Sequence, residues 1–169
     1  MNVLVTYYTQ TGNTRKVAEA IFAGLVHSRK KILPIDQVED VVSYDLIFCG
    51  FPVIEYSVPG KMTSFLRAMP RGKKVAFFST HGSLRGGEKA VSAFYAAISL
   101  AHGQKILGTI GCRGKVNPQL LEALMEKPQH RPWVNEAQGA AGHPNQADLE
   151  DARIFAETML FSAEKFHGR

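Results

Sequence analysis

An α/β fold, with a parallel sheet covered by helices on both faces, is the class this sequence predicts. Five short apolar runs rich in β-branched and aromatic residues read as strands buried on both sides: Asn2–Tyr7, Lys31–Ile35, Asp45–Phe51, Lys74–Ser79 and Lys105–Cys112. Helical periodicity fills the stretches between most of them, and strand–helix alternation with right-handed crossovers leaves few topologies. The length of 169 residues, with 45% hydrophobic and 21% charged residues, fits one globular domain spanning 1–169.

The elements follow in order. After the first strand the period changes at Asn13, with Val17, Ile21 and Leu25 on one helical stripe and Ala18, Phe22 and Val26 beside it. Leu46, Ile47, Phe48 and Cys49 form the apolar centre of the third strand, and Val75, Ala76, Phe77 and Phe78 that of the fourth. Pro59–Met69 and Glu88–His102 read as helices, with Gly103 placed for a helix C-cap. Pro118–Met125 is a further helix, whereas Lys127–Gly142 is a polar stretch punctuated by Pro and Gly, and no regular element is expected there. The last helix spans Asn145–Phe166, with Leu149, Ala152, Phe155, Ala156, Met159, Leu160 and Ala163 on one face.

Several classes are excluded on composition. Cys49 and Cys112 stand far apart with no CxxC spacing, which argues against a disulfide framework, a zinc knuckle or a thioredoxin-type redox pair. No basic leader and no apolar run of ~18 residues is present, so secretion and membrane spanning are not expected and a cytoplasmic protein is. The net charge of +5 has one source: Gly50–Lys89 holds Lys61, Arg67, Arg71, Lys73, Lys74, Arg85 and Lys89 against Glu55 and Glu88. No nucleic-acid-binding motif accompanies this excess, and no HExxH, GxSxG or paired-carboxylate element points to hydrolysis.

The chemistry begins after the first strand. Thr9, Gln10, Thr11, Gly12, Asn13 and Thr14 lie between a strand and a helix, where backbone N–H groups at the helix N-terminus attract an anion. A plain N-cap needs one Thr or Asn, and six polar or glycine positions in a row exceed that need. Neutral donors around a glycine turn can wrap one phosphate closely, while the GxxxxGK[ST] and GxGxxG fingerprints of nucleoside-triphosphate and dinucleotide sites are absent. With Thr9, Thr11, Gly12, Asn13 and Thr14 in these places, the chain resembles the flavodoxin family, whose phosphate loop reads T/S-x-T-G-N-T after the first strand. The likeness extends over residues 1–166 and is strongest toward single-domain members with Cys112-Arg113-Gly114-Lys115 after the fifth strand and His143-Pro144 before the last helix.

The resemblance implies a three-layer sandwich around a five-stranded parallel sheet of order 2-1-3-4-5. FMN then lies at the C-terminal edge, its ring held by the loops after the third and fourth strands. Mapped onto this sequence, Pro52, Val53, Ile54, Glu55, Tyr56 and Ser57 form the first ring loop and Thr80, His81, Gly82 and Ser83 the second. Tyr56 is the expected stacking residue, since an isoalloxazine is a flat apolar surface with polar edges. The family commonly carries a Trp in this loop; the only Trp here is Trp133, so a two-sided aromatic clasp of the ring is not expected. His81 is the candidate catalytic residue, able to bond the pyrimidine edge, stack on the ring or give a proton to a substrate. Cys112 approaches the site as a topological neighbour.

Three functions fit. The leading one is an FMN-dependent redox protein that exchanges electrons with a protein partner bearing an acidic docking surface. The alternative is an NAD(P)H-dependent FMN oxidoreductase that reduces a small substrate such as a quinone. The third keeps the fold as a flavin-free binding or regulatory domain. In the family's one-electron carriers a peptide in the loop after the third strand turns, commonly at a glycine. Here Ile54, Glu55, Tyr56 and Ser57 stand there and the next glycine is Gly60, so positive φ is expected to be resisted and two-electron reduction favoured.

Overall fold

The computed structural model describes residues 1–165. Five parallel strands, β1 (Asn2–Tyr7), β2 (Arg29–Pro34), β3 (Leu46–Pro52), β4 (Lys74–His81) and β5 (Lys105–Arg113), form one sheet of order β2-β1-β3-β4-β5. Helices α1 (Asn13–Gly24), α2 (Gly60–Ala68), α3 (Glu88–Leu100), α4 (Pro118–Met125), α5 (Arg131–Gln138) and α6 (Gln146–Lys165) complete the described chain.

Alternation along the strands divides the core in two, because successive side chains point to opposite faces. Val3, Val5, Phe48 and Phe78 pack with Val17 and Ile21 from α1, Leu25 at its C-cap, and Ala152, Ala156 and Met159 from α6. Leu4, Ile47, Phe51 and Phe77 pack on the other face with Met62 and Leu66 from α2 and Ala93 and Ala97 from α3. Register is continuous through the centre, with Val5 opposite Ile32 on one side and Phe48 on the other. At about 25 cal/mol per Å² of apolar surface, burying a large side chain on either face contributes ~1.5–3 kcal/mol.

Strand ends differ from the sequence expectation. β3 and β4 run on to Pro52 and His81, because pairing continues as Pro52 opposite Thr80 and His81 opposite Arg113. Edge strand β2 starts earlier, at Arg29, and its cationic residues Arg29, Lys30 and Lys31 mask the strand signal. Gly103 does not cap α3: Ala101 is the C-cap, and Gly103 lies beyond it, against the Arg71 side chain. In the polar stretch 127–142, where no element is expected, a 3₁₀ turn over Pro128–His130 leads into α5. The last helix begins at Gln146; Phe166 lies outside the described residues.

Two local devices fix the C-terminal edge of the sheet. The side chain of Asp148 accepts from Asn145 N at 2.8 Å while Asn145 Oδ1 accepts from Asp148 N at 3.1 Å, a reciprocal cap at the start of α6. His143 Nδ1 lies 2.5 Å from the same carboxylate, and Lys115 N donates to His143 O at 2.8 Å. Together these hold the chain after β5 against the start of α6.

Candidate functional site

The loop between β1 and α1 turns at Gly12, which has φ +87° and open space where a Cβ would stand. Left-handed backbone is cheap only for glycine, so this position sets the loop's shape. Gly12 N donates to Thr9 Oγ1 at 3.0 Å. Gly12 also stands at the N-cap without a side-chain cap, and the first helical bond is Lys16 N to Gly12 O at 3.1 Å. The N–H groups of the first turn therefore precede the helical ladder, the arrangement that favours an anion.

Not all the predicted donors are equivalent. Thr14 is buried, its hydroxyl 2.9 Å from that of Thr80 at the end of β4, which ties the loop to the second predicted ring loop. Asn13 gives its amide to Thr11 Oγ1 at 3.1 Å and Lys115 O at 2.9 Å, which ties it to the chain after β5. Gln10 and Thr11 are exposed. Beside Thr11 and Asn13 a cleft of about 420 Å³ opens, lined also by Lys16, Lys115, Asn117 and His143.

In the predicted first ring loop, Pro52 ends β3, and Val53 N donates to Thr80 O at 2.9 Å. Ile54 and Ser57 bond each other reciprocally, Ser57 N to Ile54 O at 2.9 Å and Ile54 N to Ser57 O at 3.2 Å. Between them Glu55 and Tyr56 have φ +47° and +65°. Two consecutive positive φ angles closed by reciprocal bonds are the signature of a type I′ turn. Positive φ, expected to be resisted here, is already adopted, because the two backbone bonds over-determine the turn. Tyr56 is 48% exposed. A cavity of about 500 Å³ lies beside this loop, lined by Tyr8, Ile54, Glu55, Ser57, Val58 and Lys61 among others.

Thr80 and His81 stand on β4 rather than in a loop. The His81 ring is buried; Nδ1 is 2.9 Å from Ser83 O, and since a carbonyl only accepts, Nδ1 carries the proton. Nε2 is buried without a hydrogen-bond partner among the described residues. Burial holds the His81 pKa below its usual value, with Arg113 and Arg85 acting in the same direction against the Ser83 carbonyl and Glu136. The ring is thus a neutral, inward-facing group. Cys112 is fully buried, and desolvation raises its thiol pKa to about 11 despite the nearby Arg85. It packs in the core with α1 and α6 as a small hydrophobe.

The loop at the head of α1 thus stands beside the loops after β3 and β4, tied to them through Thr14, Thr80 and Val53. The family model described as Flavodoxin domain matches residues 4–157. This chain belongs to the flavodoxin family. Among relatives, it is 26% identical to the flavodoxin-like domain-containing protein BilS of Clostridioides difficile, over 96% of this chain and 98% of that one. It is 25% identical to an NAD(P)H dehydrogenase (quinone) of Cupriavidus metallidurans, with 98% of each covered. Among solved structures, a Lactobacillus acidophilus flavoprotein in complex with FMN superposes with a TM-score of 0.55 at 20% identity, over 65% of this chain and 92% of that one.

In this flavodoxin-family chain the feature that sequence reading missed is the excursion between β5 and α6. Its helix α5 docks on the loop after β4. Trp133 Nε1 donates to Ser83 Oγ at 3.0 Å, and Leu84 N donates to Glu136 Oε1 at 2.6 Å. Arg113 Nη2 bonds Gly82 O at 3.2 Å and Glu136 O at 2.7 Å, fixing the last turn of α5 with a cation. A Cβ on Gly82 would come within 2.5 Å of Val116 and 3.2 Å of Ala137, so only glycine lets α5 approach. Trp133, Val134 and Ala137 were the available signal, a short apolar stripe within the polar stretch.

Proposed function

We propose that this chain binds FMN at the C-terminal edge of the sheet and exchanges electrons with a protein partner. The observation that carries the reading is the head of α1: a left-handed Gly12, free first-turn N–H groups, the hydroxyls of Thr9 and Thr11 on the loop, and that of Thr14 on the first helical turn. A phosphomonoester carries close to two negative charges, and amide donors with the helix dipole offset its desolvation. No carboxylate stands on residues 9–14 to oppose it. When bound, the flavin supplies the electron-accepting ring. The protein's own part is to hold the phosphate on residues 9–14 and to face the ring with residues 52–57 and 80–83. His81 acts there through its neutral, proton-bearing Nδ1, which orients the Ser83 carbonyl in the second ring loop; Cys112 supports the same edge from within the core. Partner docking is proposed at this edge, on a partner surface of acidic character.

The spectrum before and after addition of FMN tests the reading directly: a saturable complex with shifted flavin bands is expected. The double variant Thr11→Ala/Thr14→Ala should weaken FMN by ~0.5–1.5 kcal/mol per hydroxyl. Riboflavin, which lacks the phosphate, should respond much less; equal FMN affinity in the variant and its parent would overturn the phosphate assignment. A second reading, reduction of a small substrate with NAD(P)H, is favoured by the quinone dehydrogenase relative that matches over nearly its whole length. Reduction of the bound flavin by NAD(P)H alone separates the two.

A further inference from the structure

Lys89, on the first turn of α3, is the element common to two aromatic rings from distant parts of the chain. Its Nζ lies 4.8 Å from the ring centroid of Tyr56 and 4.4 Å from that of Trp133. Both distances fall within cation–π range, so the ammonium links the loop after β3 to helix α5. Tyr56 is held in place by the type I′ turn. Trp133 is held by its indole bond to Ser83 and lies about 3.4 Å from where a Cβ on Gly82 would be. The two rings thus converge on one ammonium, with Trp133 beside the loop after β4.

We propose that Trp133 is a wall of the flavin-ring site, and that the excursion containing α5 exists to bring it there, across from Tyr56. This rests on the FMN reading. An isoalloxazine offers two apolar faces, and a ring that takes the place of the Lys89 ammonium gains aromatic contact from Tyr56 and Trp133. The segment that lacks any sequence motif then supplies the tryptophan that the loop after β3 does not carry.

The chain has one Trp, so its indole N–H is a single identifiable signal in a nitrogen–proton NMR spectrum. Ring-current shifts fall off steeply with distance and report contact rather than mere occupancy. FMN and riboflavin are expected to displace this signal alike, and inorganic phosphate to leave it nearly in place. In equilibrium dialysis, Trp133→Leu should weaken both flavins about tenfold, as loss of a stacking partner does, and Trp133→Phe should restore most of the affinity. An indole signal that stays in place while FMN saturates overturns the role of Trp133 and leaves FMN binding intact. Failure of the unmutated protein to bind either flavin overturns the FMN reading itself. Because the NMR titration uses the unmutated protein, it decides the matter even if the Leu variant misfolds.

Discussion

The buried imidazole of His81 couples one residue to the protein's acid stability. Its pKa lies below the unfolded value of 6.5 because burial disfavours the charged ring. The unfolded chain then binds the proton more readily, so stability contributed by this group is complete above pH ~6.5 and falls as pH drops toward the lower folded value. His81→Asn keeps a donor for Ser83 O and removes the titration. The urea midpoint of the variant should vary less between about pH 7 and pH 5 than that of its parent. Equal slopes would place the acid sensitivity elsewhere. A second residue-scale feature is the turn at Glu55 and Tyr56. Non-glycine residues at positive φ cost about 1–2 kcal/mol each, so Glu55→Gly should raise stability by ~1 kcal/mol in urea titrations. Turning the central peptide of a type I′ turn converts it to type II′, whose first central position favours glycine. With Glu55 there, the flavin is expected to take up electrons in pairs during anaerobic titration. Glu55→Gly should let the one-electron-reduced form accumulate; its absence in the variant would show that this peptide does not control the step.

At the scale of elements, the docking of α5 makes its own prediction. Gly82→Ala drives a methyl into Val116 and Ala137. Overpacking of that kind costs about 1–3 kcal/mol, and at this chain length each kcal/mol lowers Tm by roughly 2–4 °C. A variant as stable as its parent would mean that α5 moves freely away from the loop after β4. The buried strands were legible in the sequence because continuous apolar runs such as Leu46–Phe48 and Val75–Phe78 are dictated by burial on both faces. So was the turn between β1 and α1, where the left-handed backbone at Gly12 calls for glycine. Helix α5 was not, because its eight residues include Pro132 and Asn135 and only Val134 and Ala137 are fully covered. Its stability is tertiary, coming from Arg113, Ser83 and Gly82. The position of His81 was equally hidden: strand β4 outlasts its apolar run by pairing His81 with Arg113.

Across the whole molecule, the fold redistributes a charge that is contiguous in sequence. Lys74 opens β4 and reaches Ala163 O at 2.7 Å, while Lys73 bonds Tyr44 O at 2.9 Å; both stand at the N-terminal edge of the sheet, and Arg71 precedes them. The loops after β3 and β4 stand at the opposite edge. Eight residues of β4 span roughly 25 Å at ~3.3 Å each, about three Debye lengths at physiological ionic strength. Of the segment's cations near the loops after β3 and β4, Lys61 pairs with Asp36 at 2.7 Å and Arg85 with Asp151 at 2.6 Å, and Lys89 lies within cation–π range of two aromatic rings. Steering at the site therefore draws less on Gly50–Lys89 than its sequence suggests. Lys16 and Lys115, both exposed, line the cleft beside residues 9–14 instead. If an acidic partner docks there, stopped-flow association should slow with added salt. Lys115→Glu should slow it further at low salt, whereas Arg71→Glu, at the far edge, should leave the rate near that of the parent. Equal slowing by the two substitutions would mean that the partner senses net charge rather than this edge. An unchanged rate with Lys115→Glu, at low salt, would move docking to another face.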